Sequence, residues 1–169
     1  KDGFQRYQAG VGFGGALVKD ETFYYVNVEH TTDLKDNLLN ASDLGVNETI
    51  RGQNNFTYLS AKLDHNWSAN FRSSLRANLG LVTIERQGGG LDGGLGFPSA
   101  GSAQDRNSAL VAWKNTYVGS NFSSQTNVQY ARFRWNYGRA LNGDSPNTTV
   151  LGPNEQTLAV LGHPGYFFD

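Results

Sequence analysis

Residues Asn55–Val82 read NFTYLSAKLDHNWSANFRSSLRANLGLV, and apolar and polar side chains alternate on both sides of a short turn. Only Ser68, Ala69 and Asn70 separate the two runs. The apolar positions of the runs are Leu59, Ala61, Leu63 and Trp67, then Leu75, Ala77, Leu79 and Leu81. A period of two is typical of β-strands, so the pattern predicts an antiparallel hairpin over residues 55–86.

Two further pairs of alternating runs have the same layout. They occupy residues 6–30 and 107–137, and each pair is joined by a turn of only three or four residues. These turns are Lys19-Asp20-Glu21 and Gly119–Phe122. The sequence therefore predicts three hairpins with tight connections.

Longer polar stretches separate the hairpins. We expect loops over residues 31–54, 87–106 and 138–155. Tight turns on one side and long loops on the other are typical of a transmembrane β-barrel wall. The predicted fold is all-β: an antiparallel meander of about six or seven strands that forms a sector of a transmembrane β-barrel. Residues 1–169 would form one partial β-barrel domain.

The alternation assigns side chains to two faces. The face predicted to meet lipid carries Leu59, Leu63, Leu75, Leu79, Val26 and Val111. The face predicted to line a lumen carries Lys62, Asp64, Arg76, Asn78, Lys114, Arg132 and Arg134. In a soluble sandwich the second set would simply face water. The membrane interpretation is favoured by the aromatic residues that flank the three turns, because membrane interfaces select aromatic girdles. These residues are Phe23, Trp67, Phe71, Tyr117 and Phe122.

The run after Ser123 alternates less regularly. Val128 and Tyr130 share one parity, whereas Phe133 and Trp135 share the other. A bulge near Ala131 would reconcile them, and so would a different strand assignment. The segment Tyr130–Arg139 could stack on a sugar or a nucleic base, but we favour a strand entering the membrane interface, with its arginines toward the lumen or lipopolysaccharide.

Composition excludes several classes of protein. The formal net charge is −1, and no clustered basic face of the kind that binds nucleic acid is evident. Cysteine is absent, which excludes disulfides and thiolate metal sites. No run approaches the ~18 apolar residues of a transmembrane helix. Methionine is absent and no signal-peptide pattern precedes Phe4, so we expect a segment of a longer polypeptide.

No motif predicts catalysis, a cofactor or a metal. His30, His65 and His163 lie on different predicted elements, without a carboxylate at ligand spacing. The glycine-rich segment Gln87–Arg106 lacks the Gly-Lys-Ser/Thr of a phosphate-binding loop. We interpret it as a solvated mobile loop, with closure over a ligand as the alternative. The expected protein is therefore not an enzyme.

The opening stretch FQRYQAGVGFGGALVKDETFYYVNVEH, Phe4–His30, resembles the early barrel segment of TonB-dependent outer-membrane receptors of the Bacteroidota and Oar-like type. The likeness rests on Arg6, Gln8, Gly14-Gly15, Leu17-Val18, Lys19-Asp20 and Thr22-Phe23-Tyr24-Tyr25. The family often has Gly-Gly-Pro where this chain has Gly14-Gly15-Ala16. The motif covers about a sixth of the chain, and the stretch Asn55–Val82 reads like the next hairpin of such a receptor.

The resemblance implies a nutrient transporter in the bacterial outer membrane, importing a siderophore, glycan or peptide. Such a receptor has a plug domain, a TonB box and about twenty-two strands. No plug or TonB box is recognisable here. The implied partners are the remainder of the barrel and its plug, the TonB complex, outer-membrane lipid and lipopolysaccharide, and a surface lipoprotein; no nucleic acid is expected.

Two alternatives stay open. One is a complete small outer-membrane barrel or adhesin, although Gln156–Asp169 offers one short strand at most. The other is a soluble or filament-forming β-sandwich that binds glycans. It would bury the Leu59 and Leu75 face against a second sheet.

Overall fold

The computed structural model describes residues 3–89, 94–139 and 146–162, and its main feature is one antiparallel sheet. Six strands follow one another across the sheet in chain order. They are β1 (Phe4–Val18), β2 (Thr22–Ala41), β3 (Val46–Ser68), β4 (Phe71–Arg86), β5 (Ser102–Val118) and β6 (Ser123–Arg139). The prediction of an all-β antiparallel meander is thus confirmed. Nowhere in the described part of the chain is a helix long and apolar enough to cross a bilayer.

The three tight turns lie where the sequence predicts them. In the first turn, Asp20 has a positive φ of 63°, and the amide of Glu21 donates to the carbonyl of Val18 at 3.2 Å. In the last turn, the amide of Gly119 donates to the carbonyl of Phe122 at 2.8 Å. Register shifts next to the first two turns, at Ala16/Val18 and Asn66/Ser68, adapt the ladders to these connections.

The prediction of a long loop over residues 31–54 is wrong. The hairpin of β2 and β3 continues through this stretch, and its register runs without a shift from the pair Thr22–His65 to the pair Ala41–Val46. A short 3₁₀ turn at Ser42–Leu44 closes it, and Gly45 supplies the left-handed backbone with a φ of 70°. The stretch carries polar side chains on both faces, so alternation does not reveal it.

The cross-strand register divides the side chains of the sheet between two faces, because paired residues of antiparallel strands lie on the same face. The apolar face carries Val26, Leu59, Leu63, Leu75, Leu79 and Val111, as predicted. The polar face carries Lys62, Asp64, Arg76, Asn78 and Lys114, also as predicted.

Strand β6 contains no bulge near Ala131. Its register with β5 is continuous from Val118–Ser123 to Ser102–Arg139. Arg132 therefore pairs with Ala109 on the apolar face, and Phe133 pairs with Ser108 on the polar face. The prediction that Arg132 and Arg134 share a face with Lys62 is wrong. In a strand without a bulge, alternate residues stay on the same face even where the hydrophobic residues change from even to odd positions.

The sheet is open in the described residues. β1 and β6 are its two edges and are not paired with each other, so the six strands do not close into a barrel, and the barrel sector stays a prediction. A separate two-stranded sheet consists of β7 (Thr148–Leu151) and β8 (Thr157–Leu161). The predicted loops 87–106 and 138–155 accordingly contain the start of β5, the end of β6 and all of β7; residues 90–93 and 140–145 lie outside the described part.

A small buried cluster lies at the end of the sheet away from the tight turns. Within the described ranges, the buried apolar side chains are Leu39, Ala41 and Ala159. Ser102 and Gln104, at the start of β5, are also buried, with 3% and 1% of their surface exposed. The rest of the six-stranded sheet has no apolar core of its own.

Glycines in β1 make room for an aromatic side chain of β2. A Cβ at Gly14 would lie 2.7 Å from the carbonyl oxygen of Tyr24 and 3.1 Å from the ring of Tyr25. A Cβ at Gly12 would lie 3.0 Å from the Tyr25 hydroxyl. The neighbouring Gly15 is less crowded, since the closest atom to its Cβ is a Tyr24 ring carbon at 3.7 Å.

We expect Gly14→Ala to destabilise the β1–β2 pair by about 1–3 kcal/mol, because backbone atoms must move to admit the methyl group. Gly15→Ala is the matched control, and its added methyl group makes ordinary van der Waals contact. The urea midpoints of unfolding of the two variants and the wild type measure the difference. Equal midpoints for both variants would contradict the proposed close approach at Gly14.

Candidate functional site

The apolar face of the sheet exposes many large hydrophobic side chains. Large side chains on all six of its strands are exposed by between about a third and two thirds of their area. Examples are Val11 at 60%, Leu79 at 43%, Trp113 at 44% and Tyr130 at 64%. Soluble monomers rarely expose contiguous apolar patches larger than a few hundred Å². This face therefore requires either a partner that covers it or surroundings of low polarity.

Two rows of hydrogen-bonded polar side chains border the apolar face. The turn-side polar row consists of Thr22, His65, Ser73 and Asn115, and the loop-side polar row consists of Thr32, Asn55, Thr83 and Asp105. Thr22 Oγ1 lies 2.7 Å from His65 Nδ1, and Ser73 donates to Asn115 at 2.6 Å. Thr32 donates to Asn55 at 2.9 Å, and Thr83 donates to Asp105 at 3.2 Å.

Aromatic side chains follow the turn-side polar row. The Trp67 ring packs edge-on against His65, with centroids 4.2 Å apart, and its Nε1 donates to Ser73 at 2.8 Å. The Tyr117 ring lies 5.2 Å from that of Phe122, and Tyr117 pairs with Phe71 across the strands. Phe23 is different, because it pairs with Asp64 on the polar face. Four of the five predicted aromatics thus gather at one level beside the apolar face.

The polar face carries a basic patch near the tight turns, defined by Lys62, Arg72, Arg76 and Lys114. It lines an open concavity of about 700 Å³ together with Ser74, Asn127 and Gln129. Asp64 is the carboxylate in this lining, and its Oδ2 accepts a hydrogen bond from Lys62 at 2.7 Å. The patch is therefore strongly cationic, although the whole chain has a formal charge of −1.

Two ion pairs lie beyond the loop-side polar row: Arg6–Asp33 joins β1 to β2, and Arg51–Asp36 joins β3 to β2. Arg6 donates to both Asp33 oxygens at 2.6 and 2.8 Å, and Arg51 donates to both Asp36 oxygens at 2.8 and 3.3 Å. The hydrogen bonds from Arg6 hold the pKa of the Asp33 carboxyl below its usual value. Those from Arg51 have the same effect on the pKa of Asp36.

The glycine-rich segment joins β2 to β8 through its backbone. Gly94 donates to the carbonyl of Leu38 at 3.0 Å and accepts from the amide of Asn40 at 2.9 Å. Further along, the amide of Phe97 donates to the carbonyl of Val160 at 2.8 Å. The described residues of this segment are thus bonded to strands on both sides instead of extending into solvent, which differs from the free loop expected. A second concavity, of about 590 Å³, lies beneath it between Lys35 and Arg86.

The remaining candidate residues stay apart. His30 hydrogen-bonds to Thr57 and Thr32 on the apolar face, about eight residues along β2 from the level of His65. His163 lies outside the described residues. Among the residues described, no three His, Cys, Asp or Glu side chains group at metal-binding distance. Trp135, in the predicted stacking segment, is covered by the Arg106 guanidinium at 4.6 Å, a contact that the sequence does not signal.

Comparisons with known proteins give no match. No family model, no curated protein and no solved structure is significantly similar to this chain.

We expect acid to destabilise the fold through Asp33 and Asp36. Both carboxyls have a lower pKa in the folded chain, so the unfolded chain binds more protons near the ordinary Asp value of about 3.9. Their contribution is complete above that value and is lost as the pH falls through the lower folded values. Urea midpoints measured from neutral pH to below pH 3 should therefore drop.

The variant carrying Asp33→Asn and Asp36→Asn is the control for this prediction. It lacks both carboxyls, so its midpoint should fall less over the same acid range. An unchanged pH dependence in this variant would show that the two ion pairs do not contribute to acid sensitivity.

Proposed function

We propose that the six-stranded sheet is part of the wall of an outer-membrane β-barrel transporter of the TonB-dependent receptor type. The apolar face would meet lipid and the polar face would line the lumen. The observation that carries this proposal is the exposed apolar face between two polar rows at constant separation. The role is passage of a nutrient and not catalysis.

The separation of the polar rows matches a bilayer. The rows are ten residue steps apart on each of four strands: Thr22 to Thr32, Asn55 to His65, Ser73 to Thr83, and Asp105 to Asn115. Ten steps of about 3.3 Å span roughly 33 Å along a strand. For strands tilted by ~35–45° this corresponds to a height of roughly 23–27 Å, and the apolar band of such barrels is about 25 Å tall.

The distribution of burial supports the same surroundings. A soluble domain of this length buries roughly two thirds of the surface that its unfolded chain exposes, and apolar side chains dominate its interior. Here the buried apolar side chains of the described ranges are confined to Leu39, Ala41 and Ala159, beyond the loop-side polar row. Lipid on the apolar face would cover the exposed leucines and valines without a second protein layer.

Open edges imply further strands in such a setting. Unpaired N–H and C=O groups are too costly in the hydrocarbon region, so membrane-spanning sheets close into barrels. β1 and β6 are the edges of this sheet. We therefore infer that strands from elsewhere in the same polypeptide pair with both edges, as the resemblance to large receptors implies.

The receptor type is proposed from β1 and β2, where the resembling motif lies. Its Gly14-Gly15 and Lys19-Asp20 elements fall at the end of β1 and in the tight turn. Tight turns face the periplasm in outer-membrane barrels, so the β2–β3 extension and the glycine-rich segment would face outward. There they would meet the nutrient first, and the plug would occupy the space on the polar side.

Arg132 and Arg134 are the side chains of the apolar face that fit lipid least well. They lie on β6, four and two residue steps from Asn136, which pairs with Asp105 of the loop-side row. Long arginine stems can remain in an apolar layer while the guanidinium reaches its polar boundary. Arg132 pairs with Ala109, which pairs with Leu79, so Arg132 lies one residue step from the middle of the band and is a cost of placing this face in lipid.

Tryptophan fluorescence can test which face meets lipid. Trp113 lies on the apolar face and Trp135 on the polar face, and Trp67 is the only other tryptophan. We expect lipids brominated near the headgroup end of the acyl chains to quench Trp113 strongly and Trp135 weakly. The two variants are Trp67→Phe with Trp135→Phe, and Trp67→Phe with Trp113→Phe. Each is made in the full-length polypeptide that supplies the strands beyond β1 and β6, with any tryptophan outside residues 1–169 also replaced by phenylalanine, and each is folded into vesicles.

The same samples distinguish the alternative functions. A full-length polypeptide that is monomeric in buffer and does not enter vesicles would overturn the membrane proposal. It would favour a β-sandwich in which another sheet covers the apolar face. Equal quenching of both tryptophans would instead indicate a sheet lying on the lipid surface without a lumen.

A charge placed on either face of β4 gives an independent test. Leu79 and Asn78 are neighbours near the middle of the apolar band, on opposite faces. We expect Leu79→Arg to reduce the free energy of unfolding in vesicles by about 2–4 kcal/mol, because an arginine near the bilayer centre is costly. Asn78→Arg should change it little. Similar losses for both variants would contradict a lipid-facing apolar face.

A further inference from the structure

The basic patch on the polar face contains more positive charge than the structure neutralises. Its members are Lys62, Arg72, Arg76 and Lys114, and the carboxylate beside them, Asp64, bonds to Lys62 at 2.7 Å. In the described part of the chain, neither Arg76 nor Lys114 forms a salt bridge, and both side chains are exposed. Their donors are therefore available to another molecule.

The register brings the unneutralised cations together. Lys114 pairs with Ser74, and its diagonal neighbours on β4 are therefore Arg72 and Arg76. Diagonal neighbours on an antiparallel sheet are about 7–8 Å apart, within reach of long side chains. The ends of Arg72, Lys114 and Arg76 can thus converge on one group above the sheet.

One contact in the patch is unfavourable without a counter-ion. Lys62 and Arg76 are directly opposite each other on β3 and β4. Like charges at directly opposed positions destabilise a sheet, and Asp64 relieves only the Lys62 side. An anion bound beside Arg76 would remove the remaining repulsion, so the arrangement is more consistent with a binding site than with a passive surface.

The surroundings suit a small ligand. The concavity of about 700 Å³ falls within the range of roughly 300–1,000 Å³ typical of small-molecule sites. Its other lining groups include Ser74, Thr116, Asn127 and Gln129, whose side chains can donate or accept hydrogen bonds. Phe23 adds an aromatic ring at one border.

We propose that the basic patch binds a small anionic ligand that carries phosphate or carboxylate groups, and that Arg76 and Lys114 are its principal contacts. This inference rests on the proposed transporter, since it names the chemical class that the lumen would favour. Rings of arginine and lysine give anion selectivity in membrane pores. Charge-assisted hydrogen bonds from guanidinium and ammonium groups are also stronger than neutral ones.

Calorimetric titration with inorganic pyrophosphate tests the proposal. The chain is folded in neutral detergent, or in buffer if it is soluble, so that the assay does not depend on insertion into membranes. We expect saturable binding that weakens as salt is raised. Arg76→Gln and Lys114→Gln should each raise the Kd about tenfold or more, as expected for the loss of one charge-assisted contact.

The matched control is the variant with Arg132→Gln and Arg134→Gln. It removes two positive charges from the opposite face, so its Kd should equal that of the wild type. Equal weakening in this control would show that only net charge matters and would overturn the proposal. Absence of saturable binding by the wild type, or binding of an acidic peptide in place of pyrophosphate, would also overturn it.

Two further measurements distinguish a loss of stability from a loss of ligand binding. Arg76→Gln removes the repulsion with Lys62, so its urea midpoint should be equal to or above that of the wild type; a lower midpoint would contradict the argument. Lys114→Gln tests the site independently of this pair. Quenching of Trp113 by lipid without pyrophosphate binding would leave the membrane proposal intact, whereas pyrophosphate binding without insertion would leave only the anion site.

Discussion

The register of the antiparallel ladder is the constraint on which the other features depend. A shift of one residue in any strand would move its apolar side chains to the opposite face. The ladder runs without a shift from β2 to β3 and from β4 to β6. As a result, the polar rows align across four strands, and the basic patch collects side chains from β3, β4 and β5. Membrane contact and ligand binding are therefore both proposed on surfaces that this register creates.

The two faces have different physical requirements. The apolar face needs surroundings of low polarity along its whole length, because no layer of the described residues covers its side chains. The polar face needs water or a ligand, because Arg76 and Lys114 have no compensating carboxylate in the described residues. A sheet between lipid and an aqueous lumen would satisfy both requirements at once. A sandwich would satisfy the first only if another sheet covered the band between the two polar rows.

Sequence patterns predicted the parts of this fold in which one face is apolar. The tight turns and the alternation around Leu59 and Leu75 were sufficient for the three hairpins. The β2–β3 extension was missed because Asn, Asp and Thr occupy both of its faces, and only Gly45 marks its turn. The faces of Arg132 and Phe133 were misassigned for a related reason. The hydrophobic residues change from even to odd positions along β6, whereas the strand continues without a bulge. The basic patch was not predicted, because its residues come together only through the register of β3, β4 and β5, and no single stretch of sequence contains that information.

The β2–β3 hairpin also has a consequence for the order of folding. Its twenty residue pairs are closed by a connection of only four residues, Ser42–Gly45. The entropy lost on closing so short a loop is small, and every later pair adds to a ladder already begun. Since each strand of the sheet pairs with its neighbour in the sequence, contacts remain local and assembly can proceed outward from this ribbon. The longest hairpin is thus expected to be the nucleus of the sheet, and β1 and β6 the last strands to join it.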